Sequence, residues 1–160
     1  LVGARDADAM GGAIYLEVAG MRGDRPPRVD LEVLPQVLDT VREAIVGGDV
    51  HACHDVSQGG LLTAVAEMAI GGELGAELDA GAFEGRLDLA LFNETAGVFV
   101  AEVDDAAAAA ELFADVPFVV IGTVTADNRL RLVDDGEPLF DLPLDEVIGA
   151  WREPMARVFH

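Results

Sequence analysis

Residues 60–70 read GLLTAVAEMAI, a helix-compatible segment that is apolar on nearly every side. A surface helix carries a single apolar stripe, whereas a helix that is apolar all round must be buried. Any fold of this chain therefore has to place this helix deep in its core. A Gly-Gly pair at residues 71 and 72 follows the segment and predicts the end of the helix.

Two other segments also predict helices. An apolar repeat at helical spacing begins at Leu34, with Pro35 in its first turn and Gly47–Gly48 at its end. Residues 104–115, DDAAAAAELFAD, predict the second of these helices, and Asp104 is its expected N-cap.

The end of the chain predicts one more short helix, LDEVIGAWREPM. Pro154 is expected to end it, and Trp151 is expected to pack against the domain. Near the start, residues 10–20 are compatible with either a strand or one or two helical turns.

Several short apolar segments predict β-strands. The run VPFVVIGTV is uncharged and is typical of a buried strand, while RLRLV alternates outward arginine with inward leucine. Strands and helices are interspersed, so the pattern predicts a sheet with helices packed on it. The predicted strands are 50–56, 74–80, 97–103, 116–124 and 129–133.

The acid content limits the partners of the folded domain. The 160 residues include 30 acids and 10 bases, every base is arginine, and the formal net charge is −20. Because the acids are spread along the chain, they predict an acidic surface that repels nucleic acid and anionic membranes. No apolar run approaches the roughly 18 residues of a membrane span. The lone Cys53 excludes an internal disulfide, which fits a cytoplasmic location.

The loop HDVSQGG, residues 54–60, separates a predicted strand from the buried helix. Gly59 and Gly60 would let the backbone approach a ligand closely, and the first N–H groups of the helix form a natural anion site. Asp55 can orient a water or a cation, or bond its own turn, and Ser57 can cap the helix. From these residues alone, the loop is either an ordinary strand-to-helix turn or a loop that holds an anion.

A metal site has little support in the sequence. His51 and Cys53 share a strand face, but zinc needs three or four ligands, and His160 is the only histidine outside this cluster. His54 is more typical of a hydrogen-bonded packing residue. We therefore assign no metal ligand.

Five motifs, taken in order, resemble one family. They are MGGAIYLEV, HDVSQGGLLTAVAEMAIGGELGAELD, LFNETAG, VIGTVTADNRLRL and LPLDEVIGAW. Together they resemble the C-terminal domain of the aminoimidazole ribonucleotide synthase superfamily and, within it, phosphoribosylformylglycinamidine synthase. That family carries His-Asp-Val-Ser-Asp-Gly-Gly-Leu and, further on, Phe-(Gly/Ser)-Glu-Ser. The resemblance covers essentially the whole chain.

The resemblance implies an α+β fold, with a mixed β-sheet and helices packed on it in a three-layer α/β/α arrangement. It implies that residues 1–160 are a single domain, the C-terminal fragment of a longer multidomain synthetase. The family reaction uses ATP and magnesium to convert formylglycinamide ribonucleotide to the amidine in purine biosynthesis, with ammonia from a glutaminase partner. The implied candidates for binding substrate or nucleotide are Asp55, Ser57, Gly59, Gly60, Asn93, Glu94 and Thr95.

Three departures from the family pattern weaken the implied site. Gln58 stands where the family has aspartate, Ala13–Ile14 replace Ser-Glu, and Val98 stands where an arginine often follows. The chain also has no lysine and no Gly-x-x-x-x-Gly-Lys-Ser/Thr motif, so a phosphate at the loop would rely on backbone dipoles. We expect this copy to be structural or to hold an auxiliary nucleotide weakly. We also expect the chain alone to be inactive, without a catalytic residue and without a required cofactor.

Two other interpretations remain open at this point. One is a non-catalytic interaction module whose acidic surface serves solubility. The other is a domain of a sister family, such as aminoimidazole ribonucleotide synthase, selenophosphate synthetase or thiamine-phosphate kinase. The segment LFNETAG favours the amidine-forming branch.

The lysine-free acidic composition predicts that folding is more favourable in concentrated salt. At low ionic strength the excess carboxylates repel one another, and a screening length of about 3 Å at 1 M salt removes that repulsion. The melting temperature should therefore rise between dilute buffer and molar KCl when followed by circular dichroism. A flat or falling melting temperature would contradict adaptation to high salt.

Overall fold

Helices and strands are interspersed along residues 1–158, the part of the chain that the computed structural model describes. The helices are α1 (Ile14–Val18), α2 (Leu34–Gly47), α3 (Gly60–Gly72), α4 (Leu87–Phe92), α5 (Ala106–Leu112) and α6 (Leu144–Val158), with a 3-10 turn at Ala80–Ala82. The strands are β1 (Ala52–Asp55), β2 (Gly75–Asp79), β3 (Phe99–Glu102), β4 (Gly122–Thr125), β5 (Arg129–Asp134) and β6 (Glu137–Pro143).

The strands divide between two sheets. Four of them form a mixed sheet in the order β4-β2-β5-β6, in which β2 and β5 are parallel and the other neighbours are antiparallel. Strands β1 and β3 form an antiparallel pair. The expected α+β class, with a mixed sheet and helices packed on it, is confirmed. The division into two sheets was not anticipated from the sequence.

The first residues of the chain connect the two sheets. Val2 and Phe99 exchange two backbone hydrogen bonds of 2.8 Å, which ties the segment to β3. On its other side, Gly3 N–H donates to the carbonyl of Pro117 at 2.8 Å, in the segment that leads into β4. One short extended segment therefore bridges the antiparallel pair and the mixed sheet.

Helix α3 occupies the core, as its composition predicts. No residue from Gly60 to Ile70 is exposed, and the helix packs on β1, β2, β3, α4 and α6. Alternate residues of β3 face opposite sides of the antiparallel pair. Val100 belongs to the core cluster that contains α3, whereas Phe99 and Ala101 pack with α2 and α5. Helices therefore cover both faces of this pair.

Capping residues mark the end of α2 and the start of α5, but the N-cap of α5 lies one residue later than predicted. Helix α2 has proline in its first turn and ends at Gly48, whose φ of 85° is left-handed, as predicted. The N-cap of α5 is Asp105, because its carboxylate accepts the N–H groups of Ala107 and Ala108 at 2.9 Å each. The expected cap, Asp104, instead bonds to His51 at 2.8 Å.

The predicted end of α3 is confirmed, whereas that of α6 is wrong. Helix α3 ends at Gly72, the second glycine of the pair, and Glu73 caps it with a left-handed φ of 53°. Helix α6 continues past Pro154 to Val158, and Trp151 is exposed instead of packed. Proline removes one backbone hydrogen bond, but the carbonyl it frees, that of Ala150, lies on an exposed residue that water can reach.

The apolar run 116–124 and the segment after β5 also differ from expectation. Only Gly122 onward is strand, and Val120 and Val124 are 45% and 46% exposed, so the run is not a buried strand. Strand β6 follows a turn at Asp135 and Gly136 and is not among the strands predicted from the sequence. Its prolines and charges weaken the strand pattern, and pairing with β5 supplies the missing stabilisation. The ambiguous residues 10–20 contain α1.

Burial of α3 makes Leu61 a sensitive position. Leu61 is 1% exposed in the larger core cluster, so Leu61→Ala removes buried methyl groups and should lower the free energy of unfolding by about 2–5 kcal/mol. Leu31→Ala is the matched control, because Leu31 is 75% exposed, and it should cost less than about 0.5 kcal/mol. Urea denaturation of both variants measures the difference. Equal losses would show that α3 is not the core.

Candidate functional site

The loop between β1 and α3 turns sharply on two glycines. Gly59 and Gly60 have φ angles of 87° and 74°, which other residues adopt only with strain. A Cβ atom on Gly60 would lie 2.6 Å from the backbone of Phe92, and one on Gly59 would lie 2.4 Å from Oγ1 of Thr63. Gly60 therefore permits a close approach to the end of α4 and Gly59 to Thr63 of α3, so both contacts are within the protein itself.

The Glu94 carboxylate forms a hydrogen bond with the loop between β1 and α3. Its Oε1 atom accepts the N–H of Gly59 at 2.8 Å and the N–H of Ile14 at 2.9 Å. One carboxylate thus joins three segments that are distant in sequence: residues 9–14, 57–60 and 93–95. We call this cluster the three-loop junction. Three of the five family-like motifs meet there, although the sequence did not predict that they would touch.

Asn93 and Thr95 are buried and hold the chain on the other side of Glu94. The side-chain amide of Asn93 donates to the carbonyls of Asp6 and Ala9 at 2.9 and 2.8 Å. The Thr95 hydroxyl donates to Asn93 Oδ1 and accepts the N–H of Asp6 at 3.2 Å. Every described polar atom of these side chains that is buried has a partner within the protein. Their contacts in this structure are therefore those of residues that fix a loop.

Asp6 extends the network to the arginine-rich segment of residues 22–28. Its carboxylate accepts two hydrogen bonds from the Arg25 guanidinium and the backbone N–H of Arg28 at 3.0 Å. The bond from Arg25 is the main reason that the pKa of Asp6 falls to about 2. Nothing in the local pattern around Asp6 indicates this role, because its partner lies in another loop.

An aromatic stack closes the junction beside α1. The rings of Tyr15 and Phe92 are 4.6 Å apart and nearly parallel. The Tyr15 hydroxyl donates to Asp88 at 3.1 Å, and this bond raises the pKa of the tyrosine. Stacking and hydrogen bonding together hold α1 on α4, which places the N–H of Ile14 opposite Glu94.

Asp55 and Ser57 lie outside these contacts. Asp55 is exposed at the end of β1, and its carboxylate lies 3.7 Å from His54. Ser57 is exposed, and its carbonyl accepts the N–H of Gly60 at 3.0 Å. Helix α3 has no side-chain N-cap, so the suggestion that Ser57 caps it is wrong. The structure therefore brings together five of the seven candidates, Gly59, Gly60, Asn93, Glu94 and Thr95.

The junction does not have the donor set that magnesium and ATP require. The N–H of Gly59, which would otherwise face an anion, already donates to the Glu94 carboxylate. Phosphate placed beside it would meet a like charge with no arginine in residues 55–60 to offset it. Within residues 1–158, no three histidine, cysteine, aspartate or glutamate side chains are grouped so that they could hold a metal ion.

The histidines in the described region make local contacts. His54 Nδ1 donates a 2.7 Å hydrogen bond to the carbonyl of Asp55, and its Nε2 lies 3.2 Å from Glu67 on α3, which agrees with a packing role. The bond to Asp104 raises the pKa of His51. His160, considered above as a metal ligand, lies outside the described residues. No helix within residues 1–158 has the length and apolar character needed to cross a membrane.

Comparison with known proteins gives consistent relatives. Phosphoribosylformylglycinamidine synthase subunit PurL from Synechocystis sp. is 35% identical over 98% of this chain. The subunit of the same name from Rhodospirillum rubrum is 47% identical over 74% of the chain. The chain spans only 21% and 16% of the length of these two relatives.

Solved structures share the fold at low sequence identity. Thermotoga maritima PurL complexed with FGAR has a TM-score of 0.59 at 19% identity, over 71% of this chain and 20% of that one. The hydrogenase maturation protein HypE has a TM-score of 0.56 at 18% identity, over 66% of this chain and 41% of that one. Residues 1–135, most of the chain, match the family described as AIR synthase related protein, C-terminal domain. The chain therefore belongs to the AIR synthase related C-terminal domain family.

Proposed function

We propose that this chain is the C-terminal domain of a phosphoribosylformylglycinamidine synthase. The observation that carries the proposal is the similarity to PurL subunits along 93% or more of the chain at 32–37% identity in several relatives. The longer enzyme would use ATP to convert formylglycinamide ribonucleotide and glutamine-derived ammonia to the amidine. Its further requirements would be magnesium and a glutaminase partner, and its location would be the cytoplasm.

Within that enzyme, we assign the three-loop junction a mainly structural role. Glu94 supplies an internal anion where a bound phosphate would otherwise lie, between the N–H groups of Gly59 and Ile14. Backbone dipoles alone contribute at most about 2 kcal/mol per favourable contact, and the carboxylate already uses them here. Phosphate or nucleotide affinity at Ser57–Gly60 should therefore be millimolar or weaker, and phosphoryl transfer would take place in other parts of the longer protein.

A non-catalytic interface module is the alternative that one observation favours. Three of the family-like motifs bond to each other, and the described residues hold no group of three histidine, cysteine, aspartate or glutamate side chains that could bind the magnesium of a nucleotide. Such a module would still fold and dock within the synthetase. The two proposals can be distinguished by deleting this domain from the longer enzyme. If the domain is only a non-catalytic module, the reaction of the longer enzyme should remain.

We attribute the acidic surface to life in concentrated salt. Many arginines of the chain are paired with carboxylates, including Arg86 with Asp88 and Arg131 with Asp127. These pairs offset only part of the excess of 30 acids over 10 bases. Isolated surface pairs contribute about 0–1 kcal/mol each, so screening by salt remains the larger effect.

Activity measurements distinguish the proposals. The isolated chain should show neither magnesium-dependent ATP hydrolysis nor amidine formation, and its binding of ADP by isothermal titration should be millimolar or weaker. The longer protein should form the amidine from the ribonucleotide with ATP and ammonia. Turnover by the isolated chain, or micromolar ADP binding with NMR shifts centred on Ser57–Gly60, would show that this copy is itself a ligand site. A longer protein that lacks the reaction would refute the assigned activity.

The Glu94 carboxylate should contribute measurably to stability. Glu94→Ala leaves the N–H groups of Gly59 and Ile14 without their acceptor, which should cost about 1–3 kcal/mol in free energy of unfolding. Glu94→Gln keeps an oxygen acceptor and should lose less. Glu111→Ala is the control, because it also removes one negative charge but from an exposed helix position. If urea melts show Glu94→Ala to be as stable as the control, the carboxylate does not hold the junction.

A further inference from the structure

Helix α2 has more apolar surface than its own domain covers. Val37, Val41 and Ala44 are buried in the core cluster that α2 shares with α5. Beside this buried face, Leu38 and Ile45 are 46% and 47% exposed. A surface helix normally directs its apolar residues toward the core and its polar residues toward solvent. The proposed function gives the exposed apolar side of α2 no role, so this side needs another explanation.

Leu31 extends this side of α2 beyond the first residue of the helix. The N–H groups of Glu32 and Val33 donate to Asp30 Oδ1 at 3.0 and 3.2 Å. The Asp30 carbonyl accepts the N–H of Leu34 at 2.9 Å. These bonds are those of a residue that caps a helix N-terminus. Leu31, which is 75% exposed, therefore lies in a helical turn that leads directly into α2.

Leu31, Leu38 and Ile45 form a row along one side of α2, here called the α2 row. They are seven residues apart, which is nearly two helical turns per step, and the whole row is about 21 Å long. Because the outer two residues are equally far from Leu38, a two-fold axis through Leu38 matches the row with that of a second copy. Leu31 of each copy then lies against Ile45 of the other, and the two Leu38 side chains meet. Such a row fits an antiparallel pair of identical helices.

The charges beside the α2 row favour the same antiparallel arrangement. Arg42 follows Leu38 by one helical turn on the solvent side, and its side chain is 61% exposed. The two-fold axis places Arg42 opposite residue 34 of the second copy, within reach of the exposed Glu32 there. Symmetry repeats this ion pair in the other half of the interface. A parallel pair would instead align Arg42 with Arg42 and Glu32 with Glu32, which repel.

Acidic residues on the same flank make the arrangement dependent on salt. Asp39 lies one residue beyond the two-fold axis, so the two Asp39 carboxylates approach each other, and Glu43 adds further negative charge. Arg42 offsets these charges within its own helix, since it lies 3.9 Å from Asp39 and 3.2 Å from Glu43. Each copy also has a net charge of −20. Association is therefore opposed in dilute buffer and favoured in concentrated salt.

We infer that the α2 row is the interface of a two-fold dimer, in which α2 of one copy packs antiparallel on α2 of a second copy. A second copy is the occupant because both the spacing of the apolar residues and the charges of Arg42 and Glu32 are complementary to themselves. One short row per copy makes a small interface, so we expect a dissociation constant of about 100 µM in molar salt. In the dilute samples used for urea denaturation the chain is then a monomer. The inference goes beyond the proposed function and does not depend on it.

Analytical ultracentrifugation of the chain tests the inference, at concentrations from about 10 µM to about 1 mM. The average mass should rise with concentration toward that of a dimer, and the dissociation constant should be at least about tenfold weaker in dilute buffer than in molar KCl. Leu38→Glu should weaken association by about 100-fold or more, because it brings two carboxylates together at the axis. Leu139→Glu is the matched control, because it adds the same charge at an exposed leucine of β6, and it should have little effect.

Exchange of the paired charges gives a readout that does not depend on removing apolar surface. In physiological salt, Arg42→Glu and Glu32→Arg should each weaken association by about threefold to tenfold, since each places like charges side by side. The double variant restores opposite charges and should associate like the original chain. Circular dichroism should show that all of these variants fold, because the substituted residues are exposed.

Three results would overturn the inference. One is a chain that stays monomeric at all these concentrations in molar KCl, because the α2 row would then have no affinity for a second copy. Another is equal weakening by Leu38→Glu and Leu139→Glu, which would locate the contact elsewhere. The third is a double variant that associates no better than the single variants, because the two helices would then not be paired as described.

Discussion

The packing of α3 into the core is the constraint on which the other local structures depend. The helix can reach the core only if the chain turns sharply before it, which Gly59 and Gly60 allow. That turn is tight against Phe92, so the end of α4 is fixed beside the start of α3. The residues after α4, Asn93–Thr95, are then in position to bind three other segments. A requirement of hydrophobic burial thus determines where a polar network forms.

The tripeptide Asn93–Thr95 divides its contacts between two sides. Glu94 binds the N–H groups at the starts of α1 and α3, while its two neighbours bind the backbone of residues 6–9. The salt bridge of Asp6 with Arg25 lies at the periphery of this network and is partly exposed, so it orients the loop more than it stabilises the fold. Residues 1–28 contain four arginines and four acids, and the net charge of −20 therefore belongs to the rest of the chain.

Much of the fold could be predicted from periodicity, and the failures have physical causes. The pattern of α3 identified the buried helix, and Pro35 with Gly48 identified the limits of α2. A signal at an exposed position was less reliable: Pro154 did not stop α6, because solvent there accommodates a weakened backbone ladder.

The candidate site was predicted only in part. Its motifs could be chosen from the sequence, since glycine pairs and polar residues between apolar segments are local signals. The bonds that unite them could not, because Glu94, Ile14 and Gly59 meet only after the domain has folded. Asp6 carries no local signal at all. The apolar run 116–124 shows the reverse case, because its composition predicts burial but Val120 and Val124 are nearly half exposed.

The parallel pairing of β2 with β5 and the bridges of Val2 to Phe99 and Phe118 also bear on how the domain folds. Each of these contacts joins residues that are far apart in sequence, so the entropy of a long loop is lost before the contact stabilises the fold. Topologies with such contacts fold slowly. During synthesis, α3 is complete well before β5 leaves the ribosome. The apolar surface of α3 therefore stays exposed until the strands that cover it are made. A nascent domain of this kind is exposed to aggregation during synthesis, and its acidic charge, which destabilises the folded state, keeps that unfinished chain in solution.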